Sequence, residues 1–158
     1  MTAAAIVRVI GVGQRYRGDN EVGLLVAELV RKRAANGVEV VTAGGDALAL
    51  LAAFEGATTC VVIDSVQHAE DPGAVLRLEA DAVVAARTGA ATSSHANALA
   101  EALALATSLG KLPGRLCIVG VVGTAFELGD DMTAPVRSAI PAAVAAVLAE
   151  ITGGSPPA

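Results

Sequence analysis

The sequence is short of aromatic residues and of basic charge. Its 158 residues include one Tyr, two Phe and no Trp, and the formal net charge is −5 at pH 7. A protein that follows a nucleic-acid backbone neutralises phosphates with clustered Lys and Arg, and one that holds single strands stacks bases on aromatic rings. The acidic balance and the scarcity of rings therefore argue against nucleic acid as a partner.

Cysteines and long apolar runs are also scarce. The two cysteines, Cys60 and Cys117, lie inside short apolar runs and not in a C-x-x-C spacing, so we expect buried free thiols. A membrane span needs about 20 apolar residues, and Asp46, Asp64 and Arg137 interrupt the most apolar stretches. No basic segment precedes the first apolar run, so we expect no signal peptide, no membrane association and a cytoplasmic location.

The chain instead alternates short β-branched runs with longer segments of helical spacing. Its hydrophobic share is 54%, carried by Val, Ile, Leu and Ala. The predicted strands are Ala5–Gly13, Val38–Ala43, Thr59–Val66, Val75–Ala80 and Leu116–Val122. The predicted helices are Val22–Ala35, Asp46–Glu55, His95–Leu109 and Thr133–Ile151, the last with a kink at Pro141.

This alternation predicts an α/β three-layer sandwich, in which a five-stranded, mostly parallel sheet carries helices on both faces. About eight residues separate Thr59–Val66 from Val75–Ala80, too few for the crossover that a parallel pair needs. We therefore expect Val75–Ala80 to be antiparallel and to lie at an edge. The length predicts one domain, residues 1–158, with a frayed tail over about 152–158.

Functional residues of such sheets gather at the carboxyl ends of the strands, and polar residues follow three predicted elements there. The first group is GVGQRYRGDNEVG, residues 11–23, whose G-x-G opening suggests a phosphate loop. The third glycine of the dinucleotide fingerprint is replaced by Tyr16 and the Walker G-K-[ST] is absent, so nucleotide binding is a minor alternative. The other two groups are Asp64 and the segment Ser93–His95.

Four of these residues suggest a metal or carboxylate site. Asp19 and Asn20 precede a predicted helix, and we expect one of them to cap it. Asp64 ends an apolar strand. A carboxylate there either accepts hydrogen bonds from backbone N–H groups or belongs to a functional site. His95 opens a helix near the same edge, whereas we expect His68 to be solvated. An Asp or Asn, an Asp and a His together suit a divalent first-row metal.

A serine hydrolase using Ser93 or Ser94 is a further alternative. The chain has no G-x-S-x-G elbow, and a Ser next in sequence to its His rarely reaches triad geometry. The residues therefore favour the metal or carboxylate site.

Five segments keep the order and spacing of one known family. They are GVGQRYRGDNEVG, GGDALALL, VVIDSV, SSHANALAEALALA and IVGVVGTAFELGDDMTAPVRSAIPAAV. This set resembles the hydrogenase maturation endopeptidases, which trim the C-terminus of the nickel–iron hydrogenase large subunit. The resemblance implies an α/β sandwich without a classical protease triad. It also implies an aspartyl-type endopeptidase that acts as a monomer on the nickel-loaded precursor. It leaves the catalytic residues unassigned.

The resemblance also implies that Asn20, Asp64 and His95 bind nickel that the precursor supplies, so that an unloaded precursor is not cut. The family has Asp or Glu where this chain has Asn20. Asn keeps one oxygen donor and loses the charge, so we expect weaker nickel binding, with Asp19 or Glu21 as substitute ligands. Two alternatives stay open: a binding or checkpoint module that does not cut, and an unrelated small hydrolase using Asp64 and His95.

Overall fold

The structure, a computed structural model, describes residues 4–87 and 94–152, with side chains for all of these except residues 86–87 and 94–97. The strands are β1 Val7–Val12, β2 Val38–Ala43, β3 Thr59–Val66, β4 Val75–Leu78 and β5 Arg115–Val122. The helices are α1 Val22–Arg33, α2 Ala47–Phe54, α3 Ala80–Arg87, α4 Ser94–Leu109 and α5 Ala134–Thr152. A short 3-10 turn, Gly18–Glu21, leads directly into α1.

The five strands form one sheet in the order β2-β1-β3-β5-β4. Three pairs, β1 with β2, β1 with β3 and β3 with β5, are parallel. Strand β4 lies at the edge and pairs antiparallel with β5, so that Val75 faces Val121 and Leu78 faces Ile118. The short connection after β3 therefore predicted both the direction and the edge position of β4 correctly.

Helices cover both faces of this sheet, which confirms the three-layer architecture. Alternate strand residues such as Val9 and Val61 pack with α1 and α5. Their neighbours Ile10 and Val62 pack with α2, α3 and α4. Because both faces are buried, the central strands are continuously apolar instead of alternating.

Helix α3 was not predicted. The strand expected over Val75–Ala80 ends at Leu78, and the backbone N–H groups of Ala82 and Val83 bond to the carbonyl of Glu79 as the helix begins. The eight residues of α3 are too few to show a clear helical period, although Val83 and Val84 pack into the α2/α4 core.

Helix α5 runs through Pro141 to Thr152. The expected kink at Pro141 stays a prediction, and the expected frayed tail lies outside the described residues except for Thr152. Helix α5 is the one helix in the described ranges long and apolar enough to cross a membrane. One face of this helix packs on the sheet through Val136, Val144 and Val147.

Candidate functional site

The glycines after β1 let the chain pack closely against itself. A Cβ atom on Gly13 would lie 2.1 Å from the carbonyl oxygen of Asn20, and one on Gly23 would lie 2.2 Å from that of Val12. These positions need glycine because backbone fills the space beside them. The G-x-G opening therefore serves the packing of the 3-10 turn over the carboxyl edge of the sheet, and it gives no support to the nucleotide alternative.

Asp19 is fully buried and joins the 3-10 turn to the loop between β5 and α5. Its Oδ2 accepts hydrogen bonds from the backbone N–H groups of Thr124 and Ala125, at 2.8 and 3.0 Å. Its Oδ1 accepts the N–H and the hydroxyl of Thr133, the residue before α5, at 2.8 and 2.9 Å. Gly123 leaves room for this carboxylate, since a Cβ there would lie 2.7 Å from the Cβ of Asp19.

The expectation that Asp19 or Asn20 caps α1 was wrong. Glu21 occupies the N-cap position and makes no side-chain capping bond. Both oxygens of Asp19 already accept hydrogen bonds from distant donors, which makes Asp19 a poor substitute for Asn20 as a metal ligand. The half-buried Glu21 makes no side-chain hydrogen bond or ion pair with the described residues, and it is the neighbouring acid that stays available.

Asn20 lies against the end of β3. It is 2% exposed, and its Oδ1 accepts a long hydrogen bond, 3.4 Å, from the hydroxyl of Ser65. Ser65 directly follows Asp64, so Asn20 lies at the end of the strand that carries Asp64; because neighbouring strand residues face opposite sides of the sheet, this contact places Asn20 beside Ser65 and not beside the Asp64 carboxylate. Ser65 itself was missed by the sequence, because a lone serine in a strand carries no signal of this contact.

Asp64 is buried without a full set of partners. It is 2% exposed, and its Oδ1 has no hydrogen-bond partner among the described residues. Burial raises the pKa of Asp64 well above its ordinary value, and the backbone N–H of Ser65 opposes that shift only in part. Among the described residues, the backbone N–H of Ser65 bonds to this carboxylate, but no donor reaches its Oδ1. Burial without a donor favours protonation of the carboxyl or contact with a cation.

His95 is the second residue of α4, and its side chain lies outside the described part of the structure. Helix α4 begins at the carboxyl edge, because it leads into β5, which starts at the opposite edge. It packs on the face that carries Val62, and by strand alternation Asp64 shares that face. The approach of the imidazole to Asp64 stays a prediction.

Ser93, Ser94 and His68 are the remaining candidates from the sequence. Ser94 is the first residue of α4 but its side chain, like all of Ser93, lies outside the described residues. His68 is exposed, as expected, and its Nδ1 accepts the backbone N–H of Glu70 at 3.1 Å. Within the described side chains no three His, Cys, Asp or Glu residues form a group that could hold a metal. A metal site here thus depends on Asn20 and His95.

Comparison with known proteins gives one consistent result. The family model for hydrogenase maturation proteases matches residues 24–150, a range that includes Asp64 and His95 but begins after Asn20. The hydrogenase expression/formation protein HupD of Rhizobium leguminosarum bv. viciae is 28% identical over 141 residues, covering 87% of this chain and 70% of that protein. HupM of Azotobacter chroococcum mcd 1 is 28% identical over 146 residues, covering 90% and 70%.

Solved structures share the fold. The hydrogenase maturating endopeptidase HybD from E. coli superposes with a TM-score of 0.82 at 24% identity, covering 94% of this chain and 93% of that one. A solution structure of an endopeptidase from Escherichia coli gives a TM-score of 0.84 at 26% identity, with the same coverage. These matches confirm the predicted architecture along nearly the whole chain.

Proposed function

Since the chain belongs to the hydrogenase maturation protease family and is a peptide-bond hydrolase, we propose that it removes a C-terminal peptide from the nickel-loaded large-subunit precursor of a nickel–iron hydrogenase. The observation that carries the proposal is the buried Oδ1 of Asp64 at the carboxyl edge of the sheet, which has no hydrogen-bond partner among the described residues. We further propose that it acts in the cytoplasm as a monomer, and that the precursor supplies the nickel.

The residues at this edge fit a metal that arrives with the substrate. Asp64 offers an anionic oxygen, Asn20 a neutral one and His95 an imidazole, a mixed set that first-row divalent metals accept. Before substrate arrives, burial favours the protonated form of Asp64. A cation held beside this carboxylate would stabilise its charged form, and a precursor without metal offers no such stabilisation.

Asn20 sets the strength of this recognition. Its Oδ1 already faces the end of β3 through Ser65, and it can donate one lone pair to a metal. Because it carries no charge, it stabilises a bound cation less than the Asp or Glu that the resemblance implies for this position. Glu21 lies next to it, yet successive helical residues point about 100° apart, so its carboxylate reaches the same place only if the turn rearranges.

A second candidate function is binding of the loaded precursor without cleavage. The specific observation in its favour is the neutral side chain of Asn20 at a ligand position. Under this alternative, Asp64 and His95 still recognise the metal and the peptide bond stays intact.

The deciding experiment incubates the purified protein with nickel-loaded and nickel-free precursor. We expect the nickel-loaded precursor to shift in mobility and the nickel-free precursor to stay unchanged. Mass spectrometry should detect the released peptide. Asp64→Asn is expected to abolish processing, whereas the matched Asp46→Asn, which alters only the cap of α2, leaves it unchanged. Binding without cleavage by the parent protein would favour the second candidate, and neither binding nor cleavage would reject both.

A further inference from the structure

We infer that Tyr16 and Leu128 form a docking surface for the C-terminal extension of the precursor, an extended peptide with an apolar side chain next to an acidic one. The inference rests on the proposed function and adds the surface by which the substrate's polypeptide is held. We call these two side chains the Tyr16–Leu128 patch. It differs from Asn20 and Asp64, which are both buried.

Both side chains of the patch expose apolar surface to solvent. Tyr16 is 74% exposed and Leu128 is 70% exposed, the two highest values among the large hydrophobic residues that the structure describes. Tyr16 is also the only tyrosine of a chain with two other aromatic residues, one of which, Phe54, is buried in the core. Tyrosine is enriched among the residues that dominate protein interfaces.

Hydrogen bonds hold the two side chains on adjacent backbone segments beside the candidate site. The N–H of Gly129 donates to the carbonyl of Tyr16 at 2.7 Å, and the N–H of Gly18 donates to the carbonyl of Asp130 at 3.0 Å. The buried carboxylate of Asp19 adds bonds between the same two segments. The patch therefore lies on two backbone segments that are hydrogen-bonded to each other, close to Asn20 in the chain.

The backbone at Tyr16 is strained. Its φ is +66°, and within the described ranges it is the one residue other than glycine with a positive φ. An L side chain in this region carries a steric cost that glycine avoids, and such strain concentrates at functional sites. An exposed aromatic ring at a position suited to glycine contributes little to folding. We therefore assign Tyr16 a role in contacts that the surface makes with a partner.

Two arginines flank Tyr16 and give the patch its charge. Neither Arg15 nor Arg17 makes a side-chain hydrogen bond or ion pair with the described residues, although the whole chain carries a net charge of −5. An unpaired guanidinium binds carboxylates well. Charge complementarity therefore favours an acidic side chain beside the apolar one in the docked peptide.

The test measures precursor binding from rapid-mixing association and dissociation rates, before cleavage proceeds, with two forms of nickel-loaded precursor: one complete, and one ending at its mature C-terminus. The double variant Tyr16→Ser with Leu128→Ser should bind the complete precursor at least about tenfold more weakly. The precursor without its extension should bind the parent and this variant equally. The matched control Leu109→Ser changes an exposed leucine at the far end of α4 and should bind like the parent.

Tyr16→Gly separates docking from a structural role. Glycine relieves the strain at φ +66°, so its Tm should be no lower than that of the parent while precursor binding weakens. A merely structural tyrosine would give a lower Tm and unchanged binding. Arg15→Ala should weaken binding severalfold at low salt and have less effect at high salt.

The outcomes are distinguishable from failure of the proposed function. A double variant that binds the complete precursor as tightly as the parent overturns the patch, while cleavage by the parent still supports the protease. A parent that binds without cutting removes the proposed cleavage, and the patch is then judged on binding alone. A parent that does not bind overturns both. A patch whose loss only dissociates a dimer, seen by sedimentation, also overturns the inference.

Discussion

Asp19 and Asp64 are both buried carboxylates at the same edge of the sheet, and they differ in what surrounds them. Asp19 accepts hydrogen bonds on both oxygens from Thr124, Ala125 and Thr133. Asp64 has an oxygen with no such partner among the described residues. The described residues therefore satisfy Asp19 fully, whereas they leave one buried oxygen of Asp64 without a donor.

Asp64→Asn should stabilise the protein at neutral pH. The pKa of Asp64 is raised in the folded state, so the folded protein holds this proton in a range above 3.8 where the unfolded chain has released it. The bound proton on Asp64 therefore favours the folded state fully below the ordinary pKa of Asp. This contribution is lost as the pH rises through the raised pKa of the folded state. We expect the variant to be more stable by at least about 1 kcal/mol at pH 7.

Urea unfolding of the parent and the Asp64→Asn variant between pH 3 and pH 8 checks this. The difference in unfolding free energy should shrink as pH falls and vanish below the ordinary pKa of Asp. Carboxylates elsewhere titrate alike in both proteins, so the difference isolates Asp64. A variant less stable than the parent at pH 7 would mean that Asp64 is ion-paired in the folded protein.

Asn20→Asp should tighten the binding of Ni²⁺. The side chains are nearly the same size, and Asn20 caps no helix, so the substitution alters the contact with Ser65 and little else. An anionic donor then joins Asp64 and His95. We expect affinity to rise at least about tenfold, ~1.4 kcal/mol, by calorimetric titration.

Asn36→Asp, the same change at an exposed position, serves as the control and should leave Ni²⁺ affinity unchanged. Adding Asp64→Ala or His95→Ala to Asn20→Asp should remove the gain. Equal affinity in the parent and the Asn20→Asp variant would show that Asn20 is not a ligand.

At the scale of elements, Asp19 ties the 3-10 turn to the start of α5. Asp19→Ala leaves three backbone N–H groups and the hydroxyl of Thr133 without their acceptor. We expect a loss of about 3 kcal/mol of unfolding free energy in urea. Asp46→Ala, which removes one capping bond from α2, should cost only about 1 kcal/mol. Similar losses in both variants would show that the tie adds nothing beyond a local cap.

The same tie shows where sequence reasoning stops. Hydrophobic periodicity and connection length predicted the sheet, its helical layers and the direction of β4, because these follow from local pattern. Capping is also a local rule, and it failed for Asp19, whose partners lie 105 to 114 residues further along the chain. Helix α3 was missed for a related reason, since eight residues hold too few turns to show a period.

The site residues also divide into those that local sequence could predict and those that it could not. Asp64 was identified because an acid that follows a buried strand conflicts with its surroundings, and that conflict is visible in sequence. Asn20 and His95 were singled out by their positions at predicted helix starts near the same edge, and the resemblance of whole motifs then selected Asn20 over Asp19. The contact of Ser65 with Asn20 depends on tertiary packing that no local pattern encodes.

At the scale of the whole molecule, one sheet separates two apolar cores, and each core contains one cysteine. Cys60 packs on the α2/α4 side and Cys117 on the α1/α5 side. Burial raises the pKa of Cys60 to about 11, which Arg8 partly opposes, and burial also raises the pKa of Cys117 against a hydrogen bond from Arg77. Both thiols should therefore be unreactive in the native protein.

The two thiols test whether the chain unfolds as one domain. Either helical layer leaves a face of the shared sheet bare when it detaches, so we expect both layers to open together. In Cys60→Ala and Cys117→Ala, each with one thiol left, labelling in rising urea should report an opening free energy equal to global unfolding by circular dichroism, within about 0.5 kcal/mol. If Cys117 instead labels at urea concentrations well below global unfolding, the α1/α5 layer opens alone and the prediction of one cooperative domain is wrong.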